Sequence, residues 1–441
     1  MFNRQPKCVT SVHSFKLARL LLLTSLGGSL PQLSTALAQT PDSARFGRSD
    51  SLTFVAVSAG GWHSCAVTRG GVAYCWGYGR HGELGTGDTA SSPVPVPVAG
   101  GYRFVTVTAG RFHACGLNAD SVAYCWGGNW QGQIGTDSLG DSCTDRKEPQ
   151  KPFGCSLHPR PVAGAHHFAA LSVGAIHTCG ITGNGDAYCW GYNGPGVLGS
   201  EAAPASATVP VAVAGEMRFI AVSAGLNHSC GVTVGGRVYC WGLNKDNQLG
   251  NDSLERSKSP VAIASDVTFL SVTAGGAHTC AIAADTTAYC WGDFEHGRLG
   301  IGASIGQRLK GKQHQASPAP VDGRMTFRSL SAGGVHTCGV TTDGKGYCWG
   351  DNLEGRLGTG GSFLTARQWN TKPSAVEGDL KFTMISAGDY HSCGVTSDGA
   401  VYCWGGNAEG QLGNGSTKGK SKPVRVGSAP AAAAPDSSGG R

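Results

Sequence analysis

The string VSAGGWHSCAVTRGGVAYCWG around His63 recurs around His113, His177, His228, His278, His336 and His391. Seven copies of one unit leave few folds open, because a repeated unit that cannot bury its own apolar face must stack on its neighbours. The steps between histidines are uneven, so insertions fall between copies, while the core of each copy is rigid in length. Each copy offers about four short runs rich in β-formers and bounded by glycine, which read as strands. They are a Phe-x-x-Val segment (Phe54 to Val57), the His-x-Cys segment (His63 to Thr68), the Tyr-Cys-Trp segment and a Pro-Val-x-Val segment (Pro95 to Val98). Four strands repeated seven times predict an all-β chain, a seven-bladed β-propeller of four-stranded antiparallel blades. A solenoid would need distinct polar caps at its ends. The first copy lacks a preceding Pro-Val segment, and the last copy is followed by one, Pro423 to Val426. This permutation predicts that the final strand completes the first blade and closes the ring.

The cysteines follow the same period. One lies two residues after each histidine (Cys65, Cys115, Cys179, Cys230, Cys280, Cys338, Cys393), and a second ten residues later (Cys75, Cys125, Cys189, Cys240, Cys290, Cys348, Cys403), just before Trp-Gly. Between them is a hairpin turn, clearest at Thr342-Asp343-Gly344. A three-residue loop with a left-handed glycine makes Thr341 face Lys345 and Cys338 face Cys348. A two-residue loop would shift the pairing and separate the sulfurs. Facing strand residues are close enough to bridge, so one disulfide per blade is expected. The competing reading is metal, since an imidazole and two thiolates converge. Tetrahedral zinc would need a fourth ligand in each copy, and seven such sites in one exported protein would be strange. Cys143 and Cys155 flank an insertion in the second copy and are expected to form an eighth bridge.

Glycine is 70 of 441 residues, with no period of three, so the glycines mark turns. Residues 1–38 carry Arg4, Lys7, Lys16 and Arg19 and no acid, then the apolar run Leu20 to Leu26, then Ala36-Leu37-Ala38. Basic, apolar and A-x-A in that order read as a signal peptide, and the run is too short for a membrane anchor. Cleavage removes Cys8 and leaves sixteen cysteines, an even number. It also removes four of 35 basic residues, leaving 31 against 29 acidic, a net charge of +2. That lacks the basic field of a nucleic-acid binder. The expected organisation is a signal peptide (1–38), a linker (39–51), the propeller (52–426) and a disordered Ala/Pro/Ser/Gly tail (427–441). A secreted or periplasmic monomer is expected, with no membrane insertion after cleavage. An oxidising compartment also suits the disulfides.

The segments VSAGGWHSCAV, NWQGQIG and NAEGQLG resemble the repeat of the regulator of chromosome condensation family over about residues 52–426. The resemblance implies a seven-bladed propeller. It implies less about function, because one fold hosts many activities. The family's namesake is a nuclear exchange factor for a small GTPase that also binds nucleosomes. A secreted bacterial β-lactamase inhibitor protein of the same form caps its enzyme with one face. This chain departs from the family pattern in placing cysteine, rather than a hydrophobe, two residues after each histidine. The sulfurs should then pack between blades.

Sevenfold repetition argues that the histidines and the tryptophans before glycine are structural, since catalysis needs no such copies. Variation between copies says more. Strand direction alternates, so the loop before each histidine and the loop after each Trp-Gly share a face. These loops carry Trp62, Tyr78, Arg80, Arg111, Phe112, Trp130, Tyr192, Phe294 and Tyr390, with Asn227, Lys245, Asp389, Glu295 and Glu354 among them. The insertions near Asp137–Pro159, Ala303–Ser317 and Gly360–Lys372 leave from the same side. Aromatics and arginine dominate binding hot spots, so this face is expected to bind a partner, most simply a protein. The alternative is that the aromatics only pack the loops. Carbohydrate or cell-wall binding is a further reading, because rings also stack on sugars. An enzyme or an exchange-factor-like regulator is less supported. The chain has no nucleophile elbow, no P-loop and no recurring carboxylate pair, and no cofactor is expected.

Overall fold

A computed structural model of the chain describes residues 52–137, 141–144, 152–252, 254–302, 314–361 and 369–427. The expected signal peptide, linker and nearly all of the tail lie outside these residues, as do parts of all three insertions. The described chain forms seven antiparallel sheets in chain order, each a blade.

Blade 1 sets the pattern. Strand β1 (Phe54–Ala59) is innermost, followed by β2 (His63–Thr68), β3 (Ala73–Gly77) and the outermost β4 (Ser92–Pro97). Each innermost strand carries the same β-bulge. Phe54 pairs with Thr68 and Ala56 with Val67, which leaves Val55 as the extra residue turned to solvent. Blade 2 (β5, Phe104–Ala109; β6, His113–Asn118; β7, Ala123–Gly128) has five strands. Its insertion adds β8 (Asp141–Thr144), which pairs with the first half of a long β9 (Pro152–Pro161). The outermost strand contains proline in six blades, all but blade 2, which removes donors from edges that could otherwise template aggregation.

The Pro-Val strand belongs to the copy that precedes it. Cys75 pairs with Val96, and Cys403 with Val424. The final strand therefore completes blade 7, and the expected closure by strand exchange is incorrect. The ring closes through a continuous circuit of backbone hydrogen bonds at the channel. The amide after the first glycine of each Ala-Gly or Val-Gly turn donates to the glycine carbonyl of the next blade. These bonds are Gly61 to Gly110 at 3.0 Å, Arg111 to Gly174 at 3.2 Å, Ala175 to Gly225 at 3.2 Å, Leu226 to Gly275 at 3.1 Å, Gly276 to Gly333 at 3.1 Å, Gly334 to Gly388 at 3.1 Å and Asp389 to Gly60 at 3.1 Å. A Cβ on Gly60 would lie 2.2 Å from the Gly110 carbonyl, so the circuit demands glycine there.

The core lies between blades. Cys65, Val67 and Cys75 of blade 1 pack under Phe104 and Trp126 of blade 2, and the same arrangement joins blade 7 to Trp76 of blade 1. All seven repeat tryptophans are fully buried. A side chain of that size contributes about 3–5 kcal/mol relative to alanine. Each Cys pair faces across the second and third strands and is bonded, with Cα atoms 4.0–4.1 Å apart, and Cys143–Cys155 forms the eighth bridge. The hairpin register is the expected one: Thr341 N donates to Lys345 O at 2.9 Å, and Gly344 is left-handed. The sulfurs bond to each other, so no thiolate is left to hold a metal at these positions.

Candidate functional site

The repeated histidines are structural, and their hydrogen bonds define each seam. His391 Nε2 lies 2.6 Å from Ser64 Oγ of the next blade, and Ser64 Oγ donates to the Gln411 carbonyl at 3.0 Å. The hydroxyl proton is thereby used, so the imidazole donates from Nε2 and Nδ1 stays bare. Equivalent pairs join His113 to Thr178, His177 to Ser229, His228 to Thr279, His278 to Thr337 and His336 to Ser392, at 2.7–2.9 Å. Burial lowers the pKa of His63, His113, His177, His228 and His391 to about 3, and that of His278 and His336 well below the ordinary value. The seam between blades 1 and 2 is the exception. Blade 2 has Ala114 at the hydroxyl position, and both ring nitrogens of His63 are buried without a partner.

Above that seam the top face is built differently from the rest of the ring. The turns before the histidines hold Tyr390, Trp62 and Phe112 in blades 7, 1 and 2, where blades 3 to 6 have Ile176, Asn227, Ala277 and Val335. Trp62 stacks on Tyr390 at 5.3 Å between ring centroids and meets Phe112 at 5.9 Å and Tyr78 at 6.4 Å. Phe112 meets Trp130 at 5.2 Å, and Trp130 meets Phe153 at 5.8 Å. The result is a continuous arc of rings across three blades. Three guanidinium groups lie on it: Arg80 over Tyr78 at 5.6 Å, Arg111 over Trp62 at 5.3 Å and Phe112 at 5.6 Å, and the buried Arg356 over Tyr390 at 5.7 Å. Geometry of this kind is a cation–π contact. Gly61 has no side chain, so Arg111 can cross blade 1 and reach Asp389 of blade 7 at 3.3 Å. Burial raises the Asp389 pKa against the opposing pull of Arg111 and Arg356.

His81 is the hub of the arc. Its ring lies 5.2–6.1 Å from Phe153, Tyr78, Trp130 and Phe112. Its Nδ1 is 2.8 Å from Glu83 Oε1, and its backbone amide donates to Glu83 Oε2 at 2.8 Å. Glu83 is fully buried at a position where blades 2, 4 and 7 carry Gln133, Gln248 and Gln411. Desolvation raises its pKa, although the His81 contacts oppose the shift.

Of the nine residues expected to bind, Trp62, Tyr78, Arg80, Arg111, Phe112, Trp130 and Tyr390 come together. Phe294 instead packs against the core between blades 5 and 6. Tyr192 lies over its own loop, where a Cβ on Gly194 would be 2.0 Å from its hydroxyl. Sequence reasoning missed His81, Glu83 and Phe153. Glu83 was detectable as the one acid in a column of Gln, Val and Arg.

At the centre is a channel cavity of about 70 Å³, lined by the Ala-Gly turns, with Arg111 and Asp389 at its mouth. Among the described residues, no group of three or more His, Cys, Asp or Glu side chains could hold a metal ion.

Comparison with known proteins gives the same architecture. A family model described as "RCC1-like domain" matches residues 24–315. Models of the regulator of chromosome condensation (RCC1) repeat match 327–356 and 383–411, and 343–395 and 398–435. The ultraviolet-B receptor UVR8 of Arabidopsis thaliana is 28% identical over 83% of this chain and 80% of its own length. The mitochondrial RCC1 domain-containing protein RUG3 of the same plant is 26% identical over 60% of this chain. The chain spans 48% of the length of RUG3 and only 5% of human HERC2, an E3 ubiquitin-protein ligase 27% identical over 58% of this chain. Human WBSCR16 superposes with a TM-score of 0.68 at 21% identity, covering 81% of this chain and 94% of that one. Yeast Prp20 in its Kap60-bound structure also gives 0.68, at 19% identity over 90% and 91%. At these identities the two structures speak to the fold alone.

Proposed function

Because the chain belongs to the RCC1-like repeat family, we propose that it is an exported, non-catalytic propeller that captures another protein through the aromatic arc over blades 7, 1 and 2. The observation that carries this reading is the asymmetry of the top face. A ring that needed aromatics only to pack its loops would use them in every blade, and blades 3 to 6 do without the equivalents of Trp62, Phe112 and Tyr390. Half-buried rings backed by a rigid scaffold lose little entropy on binding, which suits them to anchor a partner. Family precedent supports a protein ligand: a solved Prp20 structure is described together with its binding to Gsp1p and histones. Eight disulfides in the described chain support an oxidising compartment, and the basic, apolar and A-x-A leader supports export. The non-catalytic reading rests on the histidines: those at the seams are sealed, and His81 is committed to Glu83.

The test is capture of the partner from the native host's extract by the wild-type protein and by a variant with Trp62, Phe112, Trp130 and Tyr390 all changed to alanine. The variant is expected to fold with all disulfides formed and to lose the partner. Undiminished capture would overturn the proposal.

A further inference from the structure

The charges on the arc are sorted by depth, and the sorting indicates what the partner presents. Arg80 is exposed at a loop tip, and its guanidinium lies flat over Tyr78. Among the described residues no carboxylate forms an ion pair with Arg80. The Arg111 side chain is 32% exposed and is held between the Trp62 and Phe112 rings. The arc's own carboxylates are withdrawn: the Glu83 side chain is 1% exposed and that of Asp389 15%. A guanidinium stacked on a ring spends its faces and keeps its edge N–H donors, the donors that bind a carboxylate side-on. Stacking also fixes the rotamer in advance, so less entropy is lost when the contact forms. A basic ligand would meet two guanidinium groups over blades 1 and 2, where no accessible acid stands; the exposed Glu354 lies at the other end of the arc, beside Tyr390 of blade 7.

We propose that the arc docks an acidic segment of a partner protein, with a carboxylate on Arg80 and an apolar or aromatic side chain on the rings, while Arg111 keeps its pair with Asp389. This rests on the reading of the arc as the binding face. Arg80 supplies charge at the rim, and Trp62, Phe112 and Trp130 supply the apolar anchor. Like other rim charges, Arg80 should act most strongly on the rate of association and its dependence on salt.

The experiment uses the full mature protein and isothermal titration with two synthetic decapeptides. One alternates glutamate with phenylalanine, and the other alternates lysine with phenylalanine. Chitohexaose is the third probe. The glutamate peptide is expected to bind, to weaken as salt rises, to lose at least tenfold in affinity with Arg80→Glu, and to lose less with Arg80→Lys, which keeps the charge without the planar edge donors. Arg80 is exposed, so neither variant threatens the fold. The inference is overturned if the lysine peptide or chitohexaose binds as well or better, if the glutamate peptide does not bind, or if Arg80→Glu changes nothing. If these results go against it while the fourfold alanine variant still loses the native partner, the acidic ligand is wrong and the binding face stands. If that variant keeps its partner, both fail.

Discussion

Across the seam between blades 1 and 2, Ala114 stands opposite His63 at the position where six other seams place a serine or threonine hydroxyl against a buried histidine. His63 is thus a fully buried imidazole with neither nitrogen bonded. Restoring the hydroxyl with Ala114→Ser should bridge His63 to the Glu83 carbonyl, which already accepts Trp126 Nε1 at 2.9 Å. A gain of about 1 kcal/mol is expected, the usual net worth of one such bond. Ser392→Ala, which strips a working seam, should cost about 1–3 kcal/mol because it orphans His336. Chemical denaturation midpoints measure both. A destabilised Ala114→Ser would contradict the seam account.

The seven seam histidines make the ring sensitive to acid. Their folded pKa values lie at about 3 or well below the ordinary value, while the unfolded chain protonates near 6.5. A base whose pKa is depressed on folding contributes full stability above pH 6.5 and loses it as pH falls from there toward 3. Near pH 5, unfolding should take up about seven protons, against about two at pH 7, so the slope at pH 5 is on the order of 10 kcal/mol per pH unit. The denaturant midpoint should be flat above pH 7 and fall steeply below 6.5. A profile level down to pH 4 would contradict the burial of these rings.

Glu83 works with the opposite sign. Burial raises its folded pKa, so its favourable contribution is present at low pH and is lost as the carboxyl ionises on raising pH. Glu83→Gln reproduces the side chain of Gln133, whose Oε1 accepts the Gln131 amide at 2.9 Å. It should stabilise the protein at pH 7 by roughly 1 kcal/mol, the scale of one relieved buried polar group, and by less at pH 4. Paired thermal melts at the two pH values read the difference. A larger gain at pH 4 than at pH 7 would contradict it.

The bridged cysteines of the blades are fully buried. Reductant should therefore open them only after the blade opens, and the native protein should resist dithiothreitol that reduces the denatured chain. Replacing Cys338 and Cys348 together by alanine should cost about 2–3 kcal/mol for a loop of this length in the chain-entropy model. Thiol titration in denaturant should find the sixteen blade and insertion cysteines unreactive before reduction.

How far the sequence could be read depended on what each signal constrained. Register was legible because two signals agreed: the ten-residue cysteine spacing and the Thr342-Asp343-Gly344 turn admit one pairing of Cys338 with Cys348. Ring closure was misread because every Pro-Val segment lies between two copies. Periodicity alone does not say whether it ends one blade or begins the next, and only the pairing of Cys75 with Val96 decides. Trp62, Phe112 and Tyr390 could be placed on one face by strand alternation. Their adjacency depends on ring order, which brings blade 7 beside blade 1. Phe294 lies in the same kind of loop as the arc residues and packs against the core between blades 5 and 6, while Tyr192 lies over its own loop, differences set by neighbouring side chains. Phe153 lies in an insertion without a repeat pattern, so nothing local pointed it at Trp130.

The central claim is that the partner sits on the face bearing the arc. A photo-crosslinking residue at Gln131, beside Trp130, tests it against one at Val234, which is 72% exposed at a hairpin on the opposite face. In native extract the probe at 131 should form a covalent adduct with the partner and the probe at 234 should not. An adduct from 234 alone would contradict the account.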